Sequence, residues 1–306
     1  MSDINTYADE AAITALTPIN GDLVLNRDNN SLYLCTDSSE SGIARWKKFT
    51  NDGASVPPVF SNNRLALDLD GDNDYLDCGG NTDFSFTDGA GNDSAFSISA
   101  WVKLDSNNRS RVAAKGNMEW LFGTSYNNRL ALYLWGNSST SDYLARSDTS
   151  DLATGTWQHI VATYDGSKTA GGINLYRAGS LVTMTDISVG NYLGMDSNQG
   201  ALRIGQWEFN SSVMDGLIDE VSVFDYELTS SQVSDIYNET NGNGSPADIS
   251  SLNPSGWWRM GDNDSGIAGQ SAAAVSDVSG NELHATQGTA ASQPTFADLT
   301  GETIYV

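Results

Sequence analysis

Four carboxylates, Asp68, Asp70, Asp72 and Asp74, recur at every second position of LALDLDGDNDYLDCG. On a strand, that period projects them to one side and Leu67 and Leu69 to the other. Like charges so close repel unless a cation or water intervenes. The string is not an EF-hand loop. Counting from Asp68 or Asp70 puts Asn73 or Tyr75 where Gly is required, and Gly79 or Asn81 where Glu is required. Retaining glycoside hydrolysis needs two carboxyl groups about 5–5.5 Å apart, which a Glu-x-Asp-x-x-Glu strand would supply. No such string occurs: Glu119 and Glu208 are isolated, and Asp219-Glu220 sends adjacent side chains to opposite faces of a strand. The segment Ser150-Asp151-Leu152-Ala153-Thr154-Gly155-Thr156-Trp157 ends like a sialidase Asp box but has its Asp and Gly out of register.

Only two histidines, His159 and His284, are available for a nucleophile triad or a transition-metal site. His159 sits in WQHIVATYD, whose residues alternate in and out, and reads as a structural residue. Gly-x-Ser-x-Gly, phosphate-loop and dinucleotide motifs are missing. No enzymatic activity is expected. Cys35 and Cys78 lack metal or redox spacing and read as two unpaired buried thiols. Asn-x-Ser/Thr triplets such as Asn92-Asp93-Ser94 are what chance gives in a chain so rich in Asn and Ser.

Positioning any site requires a core, and 306 residues with 39% apolar content supply one. Charged residues make up 18%, below the roughly 25% usual for globular chains, while Gly, Ser, Asn, Asp and Thr abound, a mixture that disfavours long helices. An all-β chain with many turns is expected. The balance of 39 acidic to 15 basic residues gives a net charge of −24, which argues against nucleic acid as a partner because no Lys/Arg cluster exists to replace phosphate counterions. Such self-repulsion is mild at high ionic strength. No run approaches the roughly 20 apolar residues of a membrane span, and Met1-Ser2-Asp3-Ile4-Asn5 does not open a signal peptide.

Three segments follow from this pattern. Residues 1–55 form a small β module: a short helix over 8–16 closed by Pro18, then strands Asp22–Leu25, Ser31–Cys35 and Arg45–Phe49. After Ser55-Val56-Pro57-Pro58, residues 56–245 carry strands at 64–69, 75–78, 96–104, 110–115, 119–124, 129–135, 143–146, 157–164, 172–177, 180–185, 201–206 and 217–225. That spacing indicates a sandwich or barrel. One helix is predicted over 228–237, capped by Thr229 or Ser230. Residues 246–306 form a tail.

The order of LALDLDGDNDYLDCG, FSISAWVKLD, TWQHIVATYDG, INLYRAGSLV, LRIGQ and GLIDEVSVFDYELTSSQVSDIY resembles laminin-G-like, concanavalin A-like jelly rolls. The resemblance covers about 180 residues and implies an antiparallel jelly-roll sandwich. It specifies the fold more than the function, because lectins, adhesion modules, glycosidases and spacers share it. In the tail, SGWWRMGD and DVSGNELHAT resemble the strand and loop with which such a domain normally starts. Either the tail packs back onto the sandwich, or it is a truncated second copy; a two-strand piece exposing Trp257 and Trp258 would not fold alone, which favours the former. GDLVLNRDNNSLYLC followed by ARWKKF resembles the β modules that begin bacteriophage tail-fibre and other virion proteins.

The resemblance also carries implications for sites. Many members hold a structural Ca²⁺ between the loop after the first long strand and an Asp on the last one, which here implies Asp72, Asp74 and Asp219. The alternative is a solvated acidic loop with Asp219 capping backbone N–H groups. Glycan binding needs exposed aromatic faces flanked by amides or carboxylates. Trp101 and Trp157 belong to core motifs, whereas Trp120, Trp135 and Trp207, with Tyr126 beside the Trp207 loop, lie where the family pattern is loose. Those four are the glycan-binding candidates, the alternative being core or intersubunit packing. The expected protein is a non-enzymatic phage virion component, a fibre, adhesin or capsid decoration, made without a signal peptide and located on the virion. Its expected partners are other virion proteins, host surface polysaccharide and further copies of itself. A purely structural cement protein is the alternative.

Overall fold

The computed structural model describes residues 65–79, 82–106, 109–125, 128–136, 141–197, 200–208, 212–238, 248–261, 274–287 and 289–299, together with the backbone of four earlier strands. The chain divides into two compact units, Met1–Val59 and Phe60–Val306.

The first unit is a four-stranded sheet in the order β1 (Asn5–Tyr7), β2 (Leu23–Asn26), β3 (Ser31–Cys35), β4 (Trp46–Phe49). The last three are antiparallel neighbours where the sequence predicts strands. β1, a short polar segment with no alternation to reveal it, pairs parallel with β2. The helix expected over 8–16 lies outside the described residues.

The second unit contains β5 (Leu65–Asp70), β6 (Leu76–Asp77), β7 (Phe96–Leu104), β8 (Arg111–Lys115), β9 (Trp120–Thr124), β10 (Arg129–Trp135), β11 (Tyr143–Asp151) and β12 (Gln158–Tyr164). There follow β13 (Ile173–Arg177), β14 (Ser180–Leu181), β15 (Met184–Asp186), β16 (Leu202–Ile204), β17 (Gln206–Trp207), β18 (Ser212–Val213) and β19 (Asp215–Phe224). The tail adds β20 (Gly256–Trp258), β21 (Ala274–Val275), β22 (Ala285–Thr286) and β23 (Thr295–Asp298). They make a nine-stranded sheet, β15-β11-β10-β9-β8-β16-β6-β22-β21, and an eight-stranded sheet, β14-β13-β12-β7-β19-β5-β23 with β20 beside β19. The fold is the expected antiparallel β-sandwich.

Period-two alternation builds the core. Phe96, Ile98, Ala100, Val102 and Leu104 of β7 and Leu130, Leu132 and Leu134 of β10 enter one buried cluster between the sheets. Each large side chain so buried contributes about 1.5–3 kcal/mol of transfer free energy. The outer face of the eight-stranded sheet is covered by the helix Ser230–Asn238, whose Val233 and Ile236 pack on Val161, Tyr176 and Phe224. A capping box starts that helix: Gln232 N–H donates to Thr229 Oγ1 at 3.2 Å, and Thr229 N–H donates to Gln232 Oε1 at 2.9 Å.

The tail completes both sheets. β20 pairs with β19, β23 with β5 and β22 with β6. Trp258 enters the central core with its ring 5.7 Å from that of Phe84, while Trp257 joins the cluster under the helix. Next to β20, the buried Arg259 donates from Nε to Glu220 Oε1 at 2.9 Å, and Trp257 Nε1–H donates to Glu220 Oε2 at 2.7 Å.

Candidate functional site

Among the described residues no helix covers the outer face of the nine-stranded sheet over its β8–β11 portion, and there the strands carry a cavity. Register explains its depth. Arg111 of β8 is opposite Gly123 of β9, Gly123 is opposite Ala131 of β10, and Ala131 is opposite Ser147 of β11. Two small residues thus lie between an arginine and a serine across four strands, a row of roughly 14 Å at about 4.8 Å per strand. One register step away, Tyr133 sits between Leu121 and Ala145, and Trp135 is opposite Tyr143. Small residues form the floor and large ones the walls. The enclosed volume is about 470 Å³, within the roughly 300–1,000 Å³ of small-ligand sites.

Four aromatic residues line this space: Tyr133, Trp135, Tyr143 and Trp207. Trp135 and Trp207 stack at 4.9 Å and 21°, Tyr133 stacks beside Trp135 at 5.5 Å, and Tyr143 meets Tyr133 edge-on at 5.7 Å. The two indoles are nearly buried and the two phenols half-buried, so the tyrosines supply the open ring surface and the tryptophans back it. Trp207 is held by its indole N–H, which donates to Asn117 O at 2.8 Å. Burial pushes the Tyr133 phenol up, with the Arg111 charge partly opposing; it stays protonated and can donate or accept.

Three arginines, Arg109, Arg111 and Arg129, line the same cavity, with Ser125, Ser147 and Ile187. Arg129 pairs with Asp151 at 3.1 Å on the exposed rim. Arg111 is only 4% exposed. Its Nη1 donates to Thr124 O at 3.1 Å, its guanidinium carbon lies 5.5 Å from the Trp207 ring centroid, and its Nε has no hydrogen-bond partner among the described residues. Burial lowers its pKa to about 10, so it is charged at neutral pH. Among the described residues no carboxylate lines the cavity, whereas retaining or inverting cleavage of a glycosidic bond commonly uses a facing pair. Glu208 instead pairs with Arg203 at 3.4 Å, and Glu119 is fully buried.

The sequence-derived candidates divide. Trp135 and Trp207 meet in the cavity. Trp120 does not: it is wholly buried in the central core, its ring packs on Phe86 and Phe96, and its indole N–H donates to Phe84 O at 2.9 Å. That corrects its candidacy, because β9 turns Trp120 and Phe122 inward and Leu121 outward. Tyr126 lies outside the described residues. Tyr133, Tyr143 and Arg111 were missed, although the RLALYLW alternation, with leucines in and Tyr133 and Trp135 out, carried a signal for the first.

Asp72, Asp74 and Asp219 are not brought together. Asp70 Oδ1 accepts from the N–H groups of Asp72 and Asn73 at 2.9 and 3.3 Å, and Asp74 Oδ2 accepts from Asp70 N–H at 3.2 Å, so the acidic turn folds on itself. The residue of β19 opposite Asp70 is Asp215. Asp219 stands four residues farther along, about 13 Å away at 3.3 Å per residue, fully buried, with Oδ1 accepting from Glu220 N–H at 2.7 Å. Among the described residues no three His, Cys, Asp or Glu side chains gather as a metal-binding group. The donor set does not fit a shared calcium ion.

Residues 70–234, more than half of the chain, match the Laminin_G_3 family model, described as concanavalin A-like lectin/glucanases superfamily. The chain belongs to that family. No curated protein sequence matches it. Among solved structures, this laminin-G-type chain is similar to a candidate carbohydrate-binding protein from Bacteroides ovatus, with a TM-score of 0.53 and 15% identity, over 92% of this chain and 70% of that one. More distant likenesses are the heptameric SAP-like pentraxin of Limulus polyphemus (TM-score 0.40, 18% identity, 61% and 87% covered) and the CBM40 module of a Ruminococcus gnavus sialidase bound to sialyllactose (0.41, 13%, 57% and 97%). These likenesses bear on the fold alone. Among the described residues, no helix of this laminin-G-type protein is long and apolar enough to cross a membrane.

Proposed function

We propose that this protein binds glycans without cleaving them, and that it does so in the cavity on β8–β11. The observation that carries the reading is the joining of Tyr133, Trp135, Tyr143 and Trp207 in one concave, about 470 Å³ space with hydrogen-bonding groups and, among the described residues, no carboxylate. Aromatic rings offer apolar faces to the C–H groups of a pyranose, and the arginines and serines offer donors to its hydroxyl and acid groups. Membership of a lectin-type superfamily supports the same reading.

We further propose that the protein acts as a surface component of a phage particle, attached through residues 1–55 and displayed in several copies. The resemblance of GDLVLNRDNNSLYLC and ARWKKF to virion modules supports that placement. A shallow single site then serves through multivalency, since repeated weak contacts raise avidity by orders of magnitude. Titrating the purified chain with host surface polysaccharides tests the reading: saturable binding without shortening of the polymer is expected, and failure to bind any of them would contradict it.

A further inference from the structure

The cavity's cation is out of place in this molecule. A chain with 39 acidic residues has ample carboxylates to neutralise a buried guanidinium, and it does so elsewhere: Arg259 is closed against Glu220, and Arg177 lies 3.2 Å from Asp148. Arg111, 4% exposed, lies between Asp148 at 2% and Glu220 at 7% in burial, yet among the described residues no ion pair reaches it and its Nε is unpartnered. Residues 107–108, 126–127, 137–140 and 209–211, within the connections of the cavity strands, are Asn-Asn, Tyr-Asn, Asn-Ser-Ser-Thr and Phe-Asn-Ser, while the same connections also carry Asp105, Asp142 and Glu208, the last paired with Arg203. An unpaired charge in such a place is costly, and an incoming anion relieves that cost. The guanidinium carbon lies 5.5 Å from the Trp207 ring centroid and Thr124 O holds Nη1, which leaves the remaining N–H donors of the fork to meet a planar or tetrahedral oxyanion.

We propose that the glycan bound in the β8–β11 cavity is acidic, and that its carboxylate or sulfate group seats on Arg111 while its ring lies on Tyr133 and Tyr143. This rests on the glycan-binding reading above and names the ligand class. The arrangement also reconciles an acidic protein with an acidic ligand. Contact is local, at a pocket whose described lining carries arginines and, apart from Asp151 paired with Arg129 at the rim, no nearby carboxylate, and at roughly 0.15 M salt charges beyond about 8 Å are screened.

Chemically matched oligosaccharide pairs decide the matter with the full-length chain: an oligouronate against its carboxyl-reduced counterpart, and a sulfated oligomer against its desulfated counterpart, each followed by calorimetry. The acidic member of at least one pair should bind roughly tenfold tighter or better, the effect of one charge-assisted hydrogen bond, and the pair that responds identifies the anion. Arg111→Gln should erase the difference, and Arg111→Lys, which keeps the charge without the fork, should restore part of it. Equal binding of both members of both pairs would overturn the acidic-ligand inference while leaving glycan binding intact. Binding of none of the four would overturn the glycan reading and this inference with it. The paired ligands are compared on the unaltered protein, so the outcome does not depend on a variant folding.

Discussion

The Arg111 guanidinium carbon sits 5.5 Å from the centroid of the Trp207 ring, at the wall of a cavity with no carboxylate among its described lining residues. A buried cation with an aromatic neighbour and no counterion favours ligand binding over stability, and the two can be separated. Arg111→Met should leave unfolding free energy within about 1 kcal/mol or raise it, because removing an unpaired buried charge offsets the lost hydrogen bond to Thr124 O. Glycan affinity should fall in the same variant. Chemical denaturation alongside ligand titration checks both.

Two of the three tryptophans singled out from the sequence, Trp207 and Trp120, should behave differently. Trp207→Phe keeps an aromatic wall but loses the bond to Asn117 O, and glycan affinity should drop about three- to tenfold with a modest change in stability. Trp120→Ala should lower stability by about 3–5 kcal/mol, as for other large-to-small core changes, with no separate effect on affinity in whatever fraction stays folded.

That contrast shows what the sequence could and could not carry. In RLALYLW the leucines and the larger polar or aromatic residues alternate, so Trp135 is readable as outward-facing. In WLFGT both registers are apolar, and nothing local says that Trp120 goes in. The cavity itself is a product of register across strands: Arg111, Gly123, Ala131 and Ser147 become a row only when β8, β9, β10 and β11 pair. The separation of Asp72 and Asp74 from Asp219 has the same origin, since Asp215 rather than Asp219 lies opposite Asp70. The β19 bulge between Asp219 and Ser222, where Glu220 takes φ +50, then buries both Asp219 and Glu220. Strand positions, the capped helix and the return of the tail were legible because each is written in local alternation, capping residues or an unaccompanied Trp257-Trp258 pair.

Glu220 is where the tail is secured, accepting from both Arg259 and Trp257 in a buried setting. Glu220→Gln removes the carboxylate paired with the buried Arg259 and should cost about 3–5 kcal/mol. A chain ending at residue 245 should not form a cooperatively folded sandwich, because β19, β5 and β6 would each lose a partner strand. Denaturation curves and near-ultraviolet circular dichroism of the two forms report this directly.

His159 predicts an acid sensitivity. It is wholly buried, its Nε2 is 2.9 Å from Ser99 Oγ, and burial lowers its pKa from 6.5 to about 3. Between those values the unfolded chain binds a proton that the folded chain refuses, so this residue makes stability rise with pH from about 3 to 6.5 and contributes nothing above that. Its share of the loss at pH 4 should be about 2–4 kcal/mol. His159→Gln should flatten the stability profile by that amount, and an unchanged slope would show that the ring is solvated or paired on protonation.

Sugar entering the β8–β11 cavity would touch Trp135 and Trp207, and the indole N–H signals of the tryptophans report this residue by residue. In an assigned ¹⁵N–¹H spectrum titrated with an acidic oligosaccharide, Trp135 and Trp207 should shift in a saturable way while Trp120, Trp257 and Trp258, all sealed in the core, stay in place. Saturable shifts confined to other tryptophans, or binding with no movement of Trp135 and Trp207, would contradict the account.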